Sequence, residues 1–274
     1  MSTRFTSQGA VLALLLVPAL VHAQSAKEDA DALFASQFGI DEKDPSRSIP
    51  SAEARDAAPL DFAYFLMNLS ERADEAEKAG DRTKQLAYLR ALAAAVPNQS
   101  IGFGKLCKAF EGTKQYPEAE ESCRAAIMLP GATLEDFDRY VRVVFAQERD
   151  LNPEQLAQLE QVAAHVHKEA PRSPMLLDLE CQLAIRTKDA ARYATCNTAL
   201  SRLPDNDVKR LSYNWSWAMA QGDYAEAGVL IQRAQESALP SELVERMAHV
   251  RAAQLPWWRR WYERVFTSTR EQSH

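Results

Sequence analysis

From Pro59 almost to the end of the chain, apolar residues recur at three- and four-residue intervals, the spacing that gathers them on one face of an α-helix. Turn signals break the pattern at regular places. Prolines stand at positions 97, 130, 171, 204 and 240, separated by 33, 41, 33 and 36 residues. Near the middle of each interval the helical pattern breaks again, at Lys78-Ala79-Gly80-Asp81, Gly112-Thr113-Lys114-Gln115, Asp150-Leu151-Asn152-Pro153, Thr187-Lys188-Asp189 and Gln221-Gly222-Asp223. The pattern predicts five helix-turn-helix units. A period in this range signals a solenoid, because a single helical hairpin cannot bury both of its apolar faces and has to lean on the next one. Pro153 is expected at the first helical position after Asn152 as cap, where its missing N–H costs nothing.

The two ends read differently. Arg4 and the amino terminus precede a 12-residue apolar run, Ala10 to Val21, which closes on Val21-His22-Ala23. Residues 1–23 are read as a secretory signal peptide cut before Gln24, since 12 apolar residues are too few to cross a ~30 Å hydrocarbon core as a helix. Residues 24–59 are acidic, with prolines at 45, 50 and 59, and read as a mostly disordered linker. Within it, an amphipathic piece around Ala30 to Phe38 is expected to dock on the main domain or to capture a partner. Residues 256–274 carry the most unusual segment. On a helix, Trp257, Trp258, Trp261, Tyr262, Val265 and Phe266 form one stripe, with Arg259, Arg260 and Arg264 mostly off it. Two readings stand here: a helix capping the apolar end of the array, or an interfacial helix with rings at headgroup level and guanidinium groups on lipid phosphate.

Composition narrows the class. Glycine is scarce, 9 of 274 residues, which argues against an all-β sandwich with its glycine-bearing turns. A formal charge of −6 gives no footprint for nucleic-acid binding. The expected fold is all-α.

One unit runs Phe103, Leu106, Cys107, Phe110, Tyr116, Ala119, Cys123, Ala126 and Leu129-Pro130; another runs Leu211, Trp215, Ala218, Gly222-Asp223-Tyr224, Ala227, Ile231 and Ala234. These large–small apolar pairs resemble the tetratricopeptide repeat. The resemblance covers residues 60–255 and implies a right-handed α-solenoid of about five such hairpins with a concave inner side. The unit from Thr133 to Pro171 departs from it by extra residues around Asp150 to Pro153, and the unit from Pro174 to Pro204 is one residue short at its turn.

The cysteines provide a check. Cys107 and Cys123 lie eight residues either side of position 115, and Cys181 and Cys196 flank the turn at Lys188. Residues equidistant from the turn of an antiparallel pair sit at one height, within disulfide reach if both face inward, as the repeat resemblance implies. Cys107–Cys123 and Cys181–Cys196 are the preferred pairs among three connectivities. Buried thiols at positions that want small side chains are the alternative.

No motif demands catalysis. His165 and His167, two apart on a helix, point away from each other, and neither Cys-x-x-Cys nor His-x₃₋₅-His spacing offers a metal site. Gly102-Phe103-Gly104 lacks the third glycine and the strand of a dinucleotide fingerprint. No metal and no cofactor are expected. By the resemblance, Asp74, Lys108, Arg142, Gln182 and Ser216 are exposed on the inner face of successive first helices, Lys108 and Arg142 being suited to a carboxylate or an acidic peptide. The expectation is an exported, periplasmic, non-catalytic scaffold for a protein or peptide. The alternatives are an envelope factor held at a membrane by the Trp/Arg helix, and an enzyme with a dispersed site.

Overall fold

The computed structural model describes residues 39–147, 150–237 and 239–256. Within them the fold is all-α: twelve α-helices and one 3₁₀ turn, with no strand among the described residues. The helices are α1 (Ala52–Ala57), α2 (Pro59–Lys78), α3 (Arg82–Ala95), α4 (Ser100–Gly112), α5 (Tyr116–Ile127), α6 (Leu134–Ala146), α7 (Pro153–Glu169), α8 (Pro174–Thr187), α9 (Ala190–Leu200), α10 (Val208–Gln221), α11 (Tyr224–Gln235) and α12 (Ser241–Gln254). The signal-peptide run, the piece at Ala30 to Phe38 and the Trp/Arg segment from Trp257 onward lie outside the described residues.

Four hairpins, α2/α3, α4/α5, α8/α9 and α10/α11, close in one way. The first helix ends on a residue in the left-handed region: Gly80 (φ 72°), Lys114 (57°), Lys188 (56°) and Gly222 (73°). The next residue turns its N–H back to a carbonyl five residues upstream, Asp81 to Ala76, Gln115 to Phe110, Asp189 to Ala184 and Asp223 to Ala218, at 2.8–3.0 Å. This is the Schellman closure, which satisfies carbonyls that the helix end leaves orphaned. At three of the four turns the same residue then caps the second helix. The Asp81, Asp189 and Asp223 carboxylates each accept the backbone N–H three residues on, at 3.0 Å. Ala76 and Phe110 stand 34 residues apart, as do Ala184 and Ala218, so these turns form a helical repeat. The interval holding α6 and α7 departs from the recipe: Asn152 and Gln155 form a reciprocal capping box, with Pro153 at the first helical position.

The chain divides into two compact units, one ending at Tyr140 and the other beginning at Val141. In the first, α2 packs on α3 through Phe65, Leu69, Ala73 and Ala76, each at most 7% exposed. The α4/α5 hairpin is closed by the Cys107–Cys123 disulfide, whose Cα atoms are 5.0 Å apart. In the second unit the Cys181–Cys196 disulfide closes α8/α9 with Cα atoms 5.3 Å apart. Both cysteine pairs are the expected ones, and all four residues are at most 2% exposed. Around Cys181 and Cys196 gather Ala184, Tyr193 and Leu200, while a larger cluster joins Leu211, Ala218, Ala227, Leu230 and Ile231 to Val244 and Met247 of α12.

The stretch read as a disordered linker is helical from Pro45. Pro45–Ser48 makes the 3₁₀ turn, capped by Asp44, and Ser51 caps α1. Burial of Pro45 and two long-range contacts hold it: Arg55 donates to the Ala95 carbonyl at 3.0 Å, and Glu42 pairs with Arg72 at 3.4 Å. Composition alone carried no signal of these partners.

Candidate binding surface

Residues about one repeat period apart in sequence meet across pairs of helices in each unit. In the first unit those helices are α2 and α4. Asp74 of α2 meets Lys105 there, its carboxylate 3.3 Å from the ammonium, which also donates to Ser70 Oγ at 2.6 Å. Lys108, three residues further along α4, is exposed. Asp74 therefore finds Lys105 rather than Lys108 as the cation at its side. Close by, Arg139 is held at 8% side-chain exposure beside three acids, paired with Glu135 and lying 3.3 Å from Glu111 and 3.9 Å from Asp136. Its Nε approaches Glu111 off the line of a hydrogen bond, so that contact is Coulombic.

In the second unit α8 and α10 border an open cleft of about 530 Å³. Two residues expected at the inner face, Gln182 and Ser216, line it together, one from each helix. Sequence reading missed the groups between them. Asp178 of α8 accepts hydrogen bonds from Lys209 Nζ at 2.9 Å and from the Tyr213 hydroxyl at 3.0 Å. The separations in sequence, 31 and 35 residues, are those of the repeat and were the available signal. Burial raises the Tyr213 phenol above its ordinary pKa, and the Asp178 charge and hydrogen bond push the same way. Tyr213 is therefore a neutral donor at any physiological pH. Asp207 caps α10, its carboxylate accepting the N–H groups of Lys209 and Arg210, and Val208 is left 44% exposed beside it. Hydroxyls at Ser212 and Ser216 and the amide at Gln182 offer both hydrogen-bond donors and acceptors there, beside the apolar side chain of Val208. Arg142 also belongs to this unit; it is exposed on α6.

A second cleft in the same unit, about 510 Å³, lies among α9, α10 and α11. Its wall is the Tyr193–Trp217 pair, stacked with centroids 4.2 Å apart and planes within 5°. The Tyr193 hydroxyl donates to Asn214 Oδ1 at 2.7 Å, and burial raises its pKa. Outside both clefts, Arg192 of α9 grips Glu160 of α7 and Glu180 of α8, the hydrogen bond to Glu160 first and that to Glu180 next holding its guanidinium above an already high pKa. That triad anchors the α8/α9 hairpin to α7.

The helices also carry two further features of the sequence. Asn68 and Asn214, each within an Asn-x-Ser triplet, lie on α2 and α10. His165 and His167 are both exposed on α7, and no cluster of three metal-ligating side chains occurs among the described residues. No protein-family model matches the chain, and no curated protein matches it significantly.

Proposed function

We propose that this chain is an exported scaffold that binds a protein or peptide and does no chemistry of its own. Its hairpins are read as tetratricopeptide-like units stacked in a right-handed α-solenoid, with the partner lying along the first helices. The observation that carries this reading is the α8/α10 groove: equivalent positions on successive hairpins, Gln182 and Ser216, meet in one groove whose surface is largely apolar and is set with polar side chains. The repeated hairpin closure supports the array, since identical turns 34 residues apart set successive hairpins at one pitch. Two disulfides support an oxidising compartment, the periplasm in the simplest case.

The test is a photo-crosslink. A benzoylphenylalanine at Ser216, inside the cleft, is expected to capture a discrete partner in intact cells, whereas the same residue at Val229, 43% exposed on α11, is not. Equal labelling from both positions, or none from Ser216, would refute the assignment.

A further inference from the structure

The open cleft of about 510 Å³ among α9, α10 and α11 shares no lining residue with the α8/α10 groove, and its volume is that of a small-ligand site. Trp217 lines it half-buried. Tyr193, only 7% exposed, covers one face of that indole as the other half of the stacked pair. Held by the stack, the indole is ordered before any ligand arrives, which lowers the entropy a ligand has to overcome.

The charge in the same cleft has one sign. Asp223 and Glu226 line it, and no lysine, arginine or histidine does so among the described residues. Asp223 is engaged in capping α11, its carboxylate accepting the Glu226 N–H at 3.0 Å. Glu226 is exposed and makes no ion pair among the described residues. A carboxylate in the first turn of a helix is ordinary, since it complements the dipole. Beside an indole, in a cleft without a base, it forms half of the pairing that recognises an organic cation, and acids alone on a concave wall concentrate positive charge there. Asn197, Asn214 and Gln221 add amides to the lining; Asn214 Oδ1 accepts the Tyr193 hydroxyl at 2.7 Å, and its NH₂ group remains a donor.

We propose that this cleft takes the side chain of an arginine presented by a polypeptide, its guanidinium lying against Trp217 and pairing with Glu226. A guanidinium is favoured over an ammonium because it is planar: it stacks on an aromatic ring and meets a carboxylate with two parallel N–H groups. A residue within a chain is favoured over free arginine because of the lining. Free arginine brings an α-carboxylate, to which the cleft offers two acids and no base, whereas a chain brings amides that Asn197, Asn214 and Gln221 can bond. The inference is independent of the α8/α10 groove, and failure of the Ser216 crosslink would leave it standing.

Titration of the isotope-labelled full chain with N-acetyl-L-arginine methylamide, followed by NMR, tests it. The Trp217 indole and the side-chain amides of Asn197, Asn214 and Gln221 are expected to shift together. The citrulline analogue has nearly the same shape without the charge and is expected to bind at least about tenfold more weakly, as is the arginine probe to Glu226→Gln. The capped lysine analogue and free L-arginine are each expected to be weaker by at least about threefold. Glu226 is exposed, so its substitution leaves the core intact, and the citrulline comparison in the parent chain needs no variant. Equal binding of the arginine and citrulline probes, or unchanged affinity in Glu226→Gln, overturns the proposal. So does capped lysine or free arginine binding as tightly as the capped arginine, a shift confined to Gln182 and its neighbours in the α8/α10 groove, or no shift at all.

Discussion

Gly102 separates a packing requirement from a helix preference. It sits on α4 where that helix crosses α3, and a methyl group there would lie 2.5 Å from Ala93 Cα and 2.6 Å from Ala93 N. Carbon atoms rest at about 3.5–4.0 Å, so Gly102→Ala requires the two helices to part by roughly 1 Å. The obstructing atoms are backbone, and Ala93 is 5% exposed with no room to yield. Overpacking of this kind costs about 3 kcal/mol at the upper end of its range. Alanine in place of glycine within a helix returns about 1 kcal/mol. The balance is a loss of about 2 kcal/mol. Gly112, at the end of the same helix, is the control: a methyl there meets nothing within 4 Å. Gly112→Ala is expected to stabilise by about 0.5 kcal/mol. Gly104 falls between, because its obstacle, Asp136 Oδ1 at 2.6 Å, is the end of a side chain that can turn aside. The assay is hydrogen exchange by mass spectrometry on peptides from α3 and α4, since every tryptophan lies at position 215 or beyond and fluorescence would miss the first unit. Protected amides in α3 and α4 should exchange roughly 30-fold faster in Gly102→Ala and slightly slower in Gly112→Ala, at 1.4 kcal/mol per tenfold. Parent-like or slower exchange in Gly102→Ala would refute the close-approach argument.

Serine at both Cys181 and Cys196 should lower the stability of the second unit by ~3 kcal/mol, the chain-entropy value for a loop of 15 residues, read from the urea midpoint of tryptophan fluorescence. Peptide mapping without reductant should return the 107–123 and 181–196 links and no others. The phenols of Tyr193 and Tyr213 have folded-state pKa values raised by burial above the ~10 of an unfolded chain, so the native state keeps protons that the unfolded state releases. Their contribution is fully present below about pH 10 and is lost as pH climbs beyond it. Urea midpoints should therefore fall above that pH, and fall less steeply in Tyr213→Phe; a parallel fall in both proteins would sink the assignment.

The hairpins were legible because their punctuation is chemical. Gly80-Asp81 and Gly222-Asp223 combine a residue free to adopt positive φ with a capping carboxylate, and both appear at the expected breaks. Cysteine pairing was legible for the same reason, since distance from a known turn sets height along a helix. Lys114 and Lys188 adopt the same left-handed conformation without glycine, and only position in the period marks them. What stayed hidden depends on partners distant in sequence. Gly102-Phe103-Gly104 looked like noise because its reason lies on Ala93 and Asp136, on two other helices. Lys105 and Lys108 differ by less than one helical turn, finer than a repeat resemblance resolves, and only the first meets Asp74. In the α8/α10 cleft the resemblance pointed to Gln182 and Ser216 but not to Asp178 or Tyr213, whose bond depends on the relative rotation of two helices.

Each disulfide joins cysteines that are neighbours in the order of the chain: first with second, third with fourth. A polypeptide emerging from its amino terminus thus presents the first thiol of each pair, Cys107 and then Cys181, with its proper mate as the next cysteine to arrive. Oxidation in order of appearance yields the native set directly, with no shuffling of mispaired sulfurs and no demand on an isomerase. Maturation of this chain should accordingly require an oxidant but tolerate the loss of an isomerase.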